Sequence, residues 1–358
     1  MQDVFDREFR KAKRNYNRGK LINLDEICTN DPNKFWESLK NLGPNRKSNI
    51  PLEIYENNEI NCDLDTVLNK WKNDFSSLYN PMQTKATDNG LTMGNSQVDV
   101  SGIASIELNK DFSLNEVKTA VLNTKNNKAC GVDKIPYEVL KFDNIIEILT
   151  RSFQLCFDNG TIPQVWPKAL IVPIPKSFNN DPRVPLNYRG ISLLNCMYKI
   201  YSSVLNARIR KYLEQNQLLA DEQNGFRANR SCIDHVYSLH SIIKNKINNN
   251  KSVFATFIDF QKAFDCVDRF MLQEKLQLKG ISGKIFNTIR AMYTNTTSRI
   301  LLGQYMTDWF HTLNGVRQGD TLAPTLFAIF INDLIEELNL LKKGVDINGE
   351  NVAALFCR

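Results

Sequence analysis

Two short apolar runs stand among helical patterns, and no strand–helix unit repeats along the chain. The runs are ALIVPIP at 169–175 and YRGISLL at 188–194, with a polar, proline-containing stretch between them. Turn residues bound both, so they read as two strands joined by a loop. Helical patterns surround them. Leu64, Val67, Leu68, Trp71, Phe75 and Leu78 keep a helical period behind Asp63 as N-cap. Ser113 with Glu116 forms a capping-box pattern, and Phe112 with Val117 a hydrophobic staple, so a helix should open at Leu114. Another should run over 143–159 and stop at Gly160. Scattered strands among helices, without a regular βαβ rhythm, predict an α+β fold rather than a doubly wound sheet.

With 358 residues, 42% of them apolar, the chain can bury a sizeable core. Its organisation reads as a helical, basic segment over 1–80, a linker over 81–103 and a main domain over 104–358. In the first, Asp31-Pro32 leads into Phe35, Trp36, Leu39 and Leu42 and then a stop at Gly43-Pro44. The linker is rich in Asn, Thr, Ser, Gly and Gln and lacks periodicity. A second hairpin signal, Asn348-Gly349, precedes the apolar run VAALF at 352–356.

The net charge of +6 is moderate, but Arg7, Arg10, Lys11, Lys13, Arg14, Arg18 and Lys20 cluster near the start. Such a cluster suits a polyanion, although a basic run is more often a solvated helix face. The eight cysteines are scattered without close pairs, which reads as a reduced, intracellular protein. Cys232 and His235 have ligand-like spacing but no second pair, so they read as ordinary residues. The first residues are charged where a signal peptide is apolar, and no apolar run reaches membrane-spanning length.

Three groups of residues carry chemistry. In FATFIDFQKAFD at 254–265, Asp259 ends an apolar run read as a strand. A carboxylate there is costly to bury without a metal or a donor, so Asp259 is a candidate magnesium ligand, with a structural role the equal alternative. Asp265 and Asp268 precede another helical pattern and read as its caps. Second, Lys176 and Arg189 sit at the facing ends of the two predicted strands. Paired as a hairpin, these strands would present an ammonium and a guanidinium together, a grip for a triphosphate. Third, GVRQGD at 315–320 precedes a helix opening near Pro324. Its glycines permit close backbone approach, and Gln318 is placed to touch a base or sugar edge.

In this order the three groups resemble the reverse transcriptases of non-LTR retrotransposons over roughly residues 110–356. KACGVDKIP at 128–136, Trp166, the IVPIPK run ending at Lys176, NYRGISL at 187–193 and QNGFR at 223–227 agree with it. Cys130 and Ala323 depart from the residues usual in that family. The resemblance implies right-hand polymerase fingers and a partial palm. It implies Asp259 as first catalytic metal ligand with the Phe260 carbonyl beside it, and Phe264 as an aromatic floor under the sugar that excludes a 2′-hydroxyl. Lys176 and Arg189 would hold the triphosphate, Gln318 and Gly319 would line the nucleotide pocket, and Gln223, Gly225, Phe226 and Arg227 would lie along template or primer. The implied partners are an RNA template, a DNA primer and deoxynucleoside triphosphates, with two Mg2+ ions and access to the nucleus. Phe35-Trp36 and Trp71 look like the region such elements place between an endonuclease and the polymerase.

The family takes further metal ligands from an aromatic-Ala-Asp-Asp turn, whereas here Cys357 and Arg358 follow Phe356. The expectation is therefore a fragment of a larger element that is not itself a polymerase. The alternative expectation is a non-catalytic RNA-binding remnant.

Overall fold

The two apolar runs pair as predicted. Lys168–Pro175 lies antiparallel to Tyr188–Leu193, from Leu170 opposite Leu193 to Pro175 opposite Tyr188. Along the first strand Ala169, Ile171 and Pro173 point inward, the period of two expected of a half-buried strand. Its other edge pairs in parallel with Thr297–Leu302, but only over residues 168–171. Proline offers no N–H to a ladder, so Pro173 and Pro175 fit where the strand has a partner on one side alone. Gly190 faces Pro173 across the hairpin. A Cβ on Gly190 would lie 2.8 Å from a Phe75 ring carbon, so the close approach of helix and hairpin needs glycine there.

This computed structural model describes residues 50–56, 59–80, 106–177, 179–227, 229–341, 344–347 and 350–352. The chain divides into two units, Met1–Ile50 and Pro51–Arg358. In order, the described elements are β1 (Ile54–Glu56), β2 (Glu59–Asn61), α1 (Leu64–Tyr79), α2 (Ile106–Asn109), α3 (Leu114–Leu122), α4 (Tyr137–Leu140), α5 (Asp143–Asn159), β3 (Lys168–Pro175), β4 (Tyr188–Leu193), α6 (Cys196–Gln215), α7 (Cys232–Asn248), α8 (Arg269–Leu278), α9 (Lys284–Tyr293), β5 (Thr297–Leu302), β6 (Tyr305–Met306), β7 (Phe310–His311), α10 (Ala323–Leu340), β8 (Val345–Ile347) and β9 (Glu350–Val352). The main sheet has the order β4-β3-β5-β6, with β7 also on β5. Helices and an irregularly connected mixed sheet make this an α+β fold.

Local signals placed most helix ends correctly. Asp63 accepts from the Thr66 amide and opens α1. Ser113 and Glu116 close both bonds of the capping box on α3, and Gly160 takes the left-handed conformation after α5 at φ 60°. Asp268 caps α8 through the amides of Phe270 and Met271. β8 and β9 pair on either side of 348–349, as the hairpin signal required. The helix expected at 31–42, the basic run, the linker at 81–103 and residues 353–358 lie outside the described residues.

α1 lies in the same unit as the elements after residue 104, since the chain divides at Ile50. Trp71 of α1 packs edge-on against Tyr188 of β4 at 5.1 Å, and Phe75 touches the same hairpin. One expectation needs correction: the strand expected over 254–259 is absent. Residues 251–260 have no regular structure, and Phe254, Phe257 and Ile258 are 96%, 84% and 76% exposed. No described strand runs beside them, so the apolar pattern has no ladder to join.

The core centres on α6, which buries residues around most of its circumference, including Tyr198, Tyr201, Leu205 and Ile209. Trp166, Phe153 and Phe157 close over Tyr201 and Phe112. Within this core Arg208 is 7% exposed, with its guanidinium 4.4 Å from the Phe112 ring. It donates to both Glu116 oxygens at 2.9 and 3.0 Å and to the carbonyls of Lys110 and Asp111. Burial alone would raise the Glu116 carboxyl, but Arg208 and the Ser113 amide outweigh it and hold it at about 2.

Candidate active site

The apolar segment 251–260 leads into a turn that the rest of the site is built upon. Asp265 and Cys266 both donate backbone N–H groups to the Lys262 carbonyl, and Lys262 itself adopts a left-handed φ of 53°. The turn drives Phe264 into the core at 7% exposure. Its ring stacks on Phe327 of α10 at 4.8 Å and meets Phe226 edge-on at 6.0 Å.

The loop 312–320 lies against this turn through its backbone. Gly315 N donates to Val267 O and Val316 N to Phe264 O, each at 2.8 Å. Further on, Ser192 N of β4 donates to Gln318 O at 2.8 Å. Gly319, at φ 119°, presses so close that a Cβ would sit 2.5 Å from Ser192 O. The Gln318 side chain turns back to the first segment, where Nε2 donates to both Asp265 oxygens at 3.2 and 3.3 Å. The turn, the loop and the hairpin are thus joined at Gln318 and Gly319.

Three buried charged residues, none given a role from the sequence, hold that loop in place. Arg269 donates to the carbonyls of Gly315, Tyr293, Thr312 and Asn314 and to Thr296 Oγ1, at 2.8 to 3.2 Å. Burial, reinforced by the charge of Arg317, pushes its guanidinium down to about 10. Arg317 donates to the carbonyls of Trp166 and Pro167. Asp320 accepts from the Tyr198 and Ser202 hydroxyls and the Leu322 amide. A buried guanidinium bonded to several carbonyls at once behaves as a multi-point staple.

The hairpin end brings cations to the same place. Lys176 donates Nζ to Leu186 O at 2.6 Å and its own N–H to Asn187 O. Its ammonium is pushed down by burial and by the neighbouring charges of Lys262 and Arg189, with Asp265 opposing them. Arg189, opposite Ile174 in the hairpin register, is exposed. Lys176 thus lies in electrostatic reach of Arg189, Lys262 and Asp265, while Gln318 and Gly319 join Asp265 to β4. Lys262 escaped notice because an exposed lysine in a turn carries no local signal.

Other expected residues behave differently. Asp259 is exposed and Phe260 is 42% exposed, so the desolvation that singled out Asp259 does not apply. Asp265 does not cap α8: it is 7% exposed, and its carboxyl is pushed up to about 6 by burial, against the lowering effects of Lys262, Gln318 and Lys176. Arg227 is committed to Glu214, with bonds of 2.9 and 2.7 Å, and donates also to Ala220 O. Gln223 is 1% exposed and Gly225 is buried, while Phe226, at φ 63°, supports Phe264. Of these four residues, Phe226 is the one that meets the Phe264 ring. His235 meets Asn224 at 3.3 Å, so the Cys232 and His235 spacing reflects local packing.

Lys176, Arg189, Phe264 and the glycine loop carrying Gln318 all lie within one matched region. The family model described as reverse transcriptase (RNA-dependent DNA polymerase) matches residues 174–352. The chain belongs to the reverse transcriptase family. Its relatives are RNA-directed DNA polymerases of non-LTR retrotransposons. A probable RNA-directed DNA polymerase from transposon X-element of Drosophila melanogaster is 26% identical over 251 residues, 67% of this chain and 26% of the relative. The probable RNA-directed DNA polymerase from transposon BS of the same organism is 24% identical over 343 residues, 91% of this chain and 35% of the relative. The RNA-directed DNA polymerase from mobile element jockey is 24% identical over 224 residues, 62% of this chain and 24% of the relative. The chain thus spans about a quarter to a third of the length of these relatives.

Reverse transcriptases in general use divalent metal ions. Among the described residues no group of three or more His, Cys, Asp or Glu side chains is gathered to hold one. Asp259 with Phe260 is a single exposed candidate, so the described residues do not by themselves form a metal centre. No described helix is long and apolar enough to cross a membrane.

Proposed function

We propose that this chain carries the nucleotide-selecting part of an RNA-directed DNA polymerase, with the β3–β4 hairpin in the fingers and the turn, loop and α10 in the palm. The observation that carries the reading is the junction at Phe264 and Gln318, where the aromatic floor, the glycine loop and the cations of the hairpin meet. Lys176, Arg189 and Lys262 would take the triphosphate of a deoxynucleotide, and Phe264 would lie under its sugar. Planar guanidinium and mobile ammonium groups together suit the uneven charge of three linked phosphates. RNA template and DNA primer are the proposed partners, and use of chromosomal DNA as target gives the reason to expect access to the nucleus.

A binding reading without turnover is favoured for residues 1–358 taken alone. Asp259 stands exposed, and among the described residues no group of three or more His, Cys, Asp or Glu side chains is gathered, whereas in-line nucleotidyl transfer by two Mg2+ ions needs ligands that bridge both. The test is primer extension on an RNA template with magnesium or manganese, with Asp259→Ala as background. The expected result is binding of the primer–template, weakening steeply with salt, and no extension above background. Extension clearly above the Asp259→Ala level would overturn the reading without turnover. Binding indifferent to salt would overturn the nucleic-acid role itself.

A further inference from the structure

Gln318 is held in two places, and the two holds do different things. Its backbone carbonyl accepts from Ser192 N, and the neighbouring Gly319 is packed against Ser192 O, so the position of the residue comes from β4. The orientation of its side-chain amide comes from Asp265 alone, through the two Nε2 contacts. An ionised carboxylate only accepts hydrogen bonds, so it can hold the amide in one sense, with Nε2 toward it. The acceptor Oε1 is then the group left for a ligand.

We propose that Asp265 is the positioning residue that fixes the Gln318 amide, making Gln318 a hydrogen-bond acceptor for a donor on the incoming nucleotide. This rests on the reading of Gln318 as part of a nucleotide pocket. Protonated Asp265 would carry an O–H donor and hold the amide equally well in the opposite sense, with Oε1 inward. The groups acting on Asp265 are Lys262 and Lys176, with Tyr79 and Cys266 also in electrostatic reach. Burial brings its titration to about 6, so the two amide orientations should exchange close to neutral pH.

The first measurement needs no nucleotide. Residues 1–358 are prepared with nitrogen-labelled glutamine, and the Gln318 side-chain amide is assigned by its loss in Gln318→Ala. Its signals should follow a transition near pH 6 in the wild type and lose it in Asp265→Asn. An amide insensitive to pH from 5 to 8 in the folded wild type would overturn the proposal.

The second measurement is dATP binding at pH 7.5 in the presence of primer–template. Gln318→Ala and Asp265→Leu should each weaken it about tenfold, and the double variant should be no worse than either. Asp265→Asn, which retains an acceptor for Nε2, should bind nearer to wild type and lose the pH dependence. Additive losses, or Asp265→Leu binding as well as wild type, would overturn the proposal while leaving the nucleotide pocket standing. A wild type that binds no dATP, with the amide still tracking pH, would overturn the pocket reading and the acceptor role with it.

Discussion

Replacing Asp265 with Asn should stabilise the protein at neutral pH. The carboxyl has an ordinary value of 3.8 and is raised to about 6 in the folded chain, so the native state holds the proton more tightly than the unfolded one. Stability from this group is full below about pH 4 and is lost as pH rises through 6. A rise of this size corresponds to about 3 kcal/mol at pH 7.5, shrinking to roughly half of that at pH 5. Asn keeps the shape and an oxygen to accept from Gln318 Nε2 but never charges. At pH 7.5 Asp265→Asn should therefore gain about 2 to 3 kcal/mol, read as a rise of about 1 M in the urea midpoint. At pH 5 the gain should be about half as large. A variant no more stable than wild type at pH 7.5, or an equal gain at both pH values, would show that Asp265 is not held at this cost.

Arg269→Met should cost about 3 to 5 kcal/mol, because it leaves the carbonyls of Tyr293, Asn314 and Gly315 without their donor and Thr312 O with the Thr296 hydroxyl alone; faster amide exchange at Gly315 and Val316 would show that the loop has come loose. Phe264→Val should raise ribonucleotide relative to deoxynucleotide binding at the pocket and also destabilise by about 2 to 4 kcal/mol, since the ring stacks on Phe327; an unchanged ratio would remove Phe264 from the sugar site. Arg227→Ala should destabilise without altering the salt dependence of primer–template binding, because the guanidinium is occupied by Glu214, whereas removing a cation that meets a phosphate should lower that slope by roughly one.

Features with a local physical cause were readable from the sequence. The capping box of Ser113 and Glu116, the Gly160 stop, the Asp63 and Asp268 caps and the β3–β4 hairpin each depend on a few neighbouring residues, and each stands where expected. The nearness of Lys176 and Arg189 was also legible, since a hairpin brings its two ends together, and the glycines of 315–319 mark a close backbone approach. Asp265 and Asp268 were not separable in this way. They lie three residues apart with the same cap-like sequence, and only the loop packed against Asp265 makes one a buried acceptor and leaves the other a cap. The roles of Arg227 and Arg269 were hidden for the same reason. An arginine carries the same charge whether it meets phosphate, Glu214 or the carbonyls of Thr312, Asn314 and Gly315, and the partners lie far away in sequence.

The run at 251–260 shows a different limit. Its pattern of Phe254, Phe257 and Ile258 before Asp259 describes a strand well, yet a strand is a property of a pair, and half of its hydrogen bonds belong to a neighbour. Without such a neighbour among the described residues, the apolar side chains and Asp259 face solvent. The turn after it is nevertheless formed, because its restraints come from elsewhere: Phe327 and Phe226 on the ring of Phe264, Val316 and Gly315 on its backbone, and Gln318 on Asp265. The two halves of FATFIDFQKAFD therefore depend on different partners. A change that gives 251–260 a regular structure should leave the amide of Gln318 where Asp265 holds it.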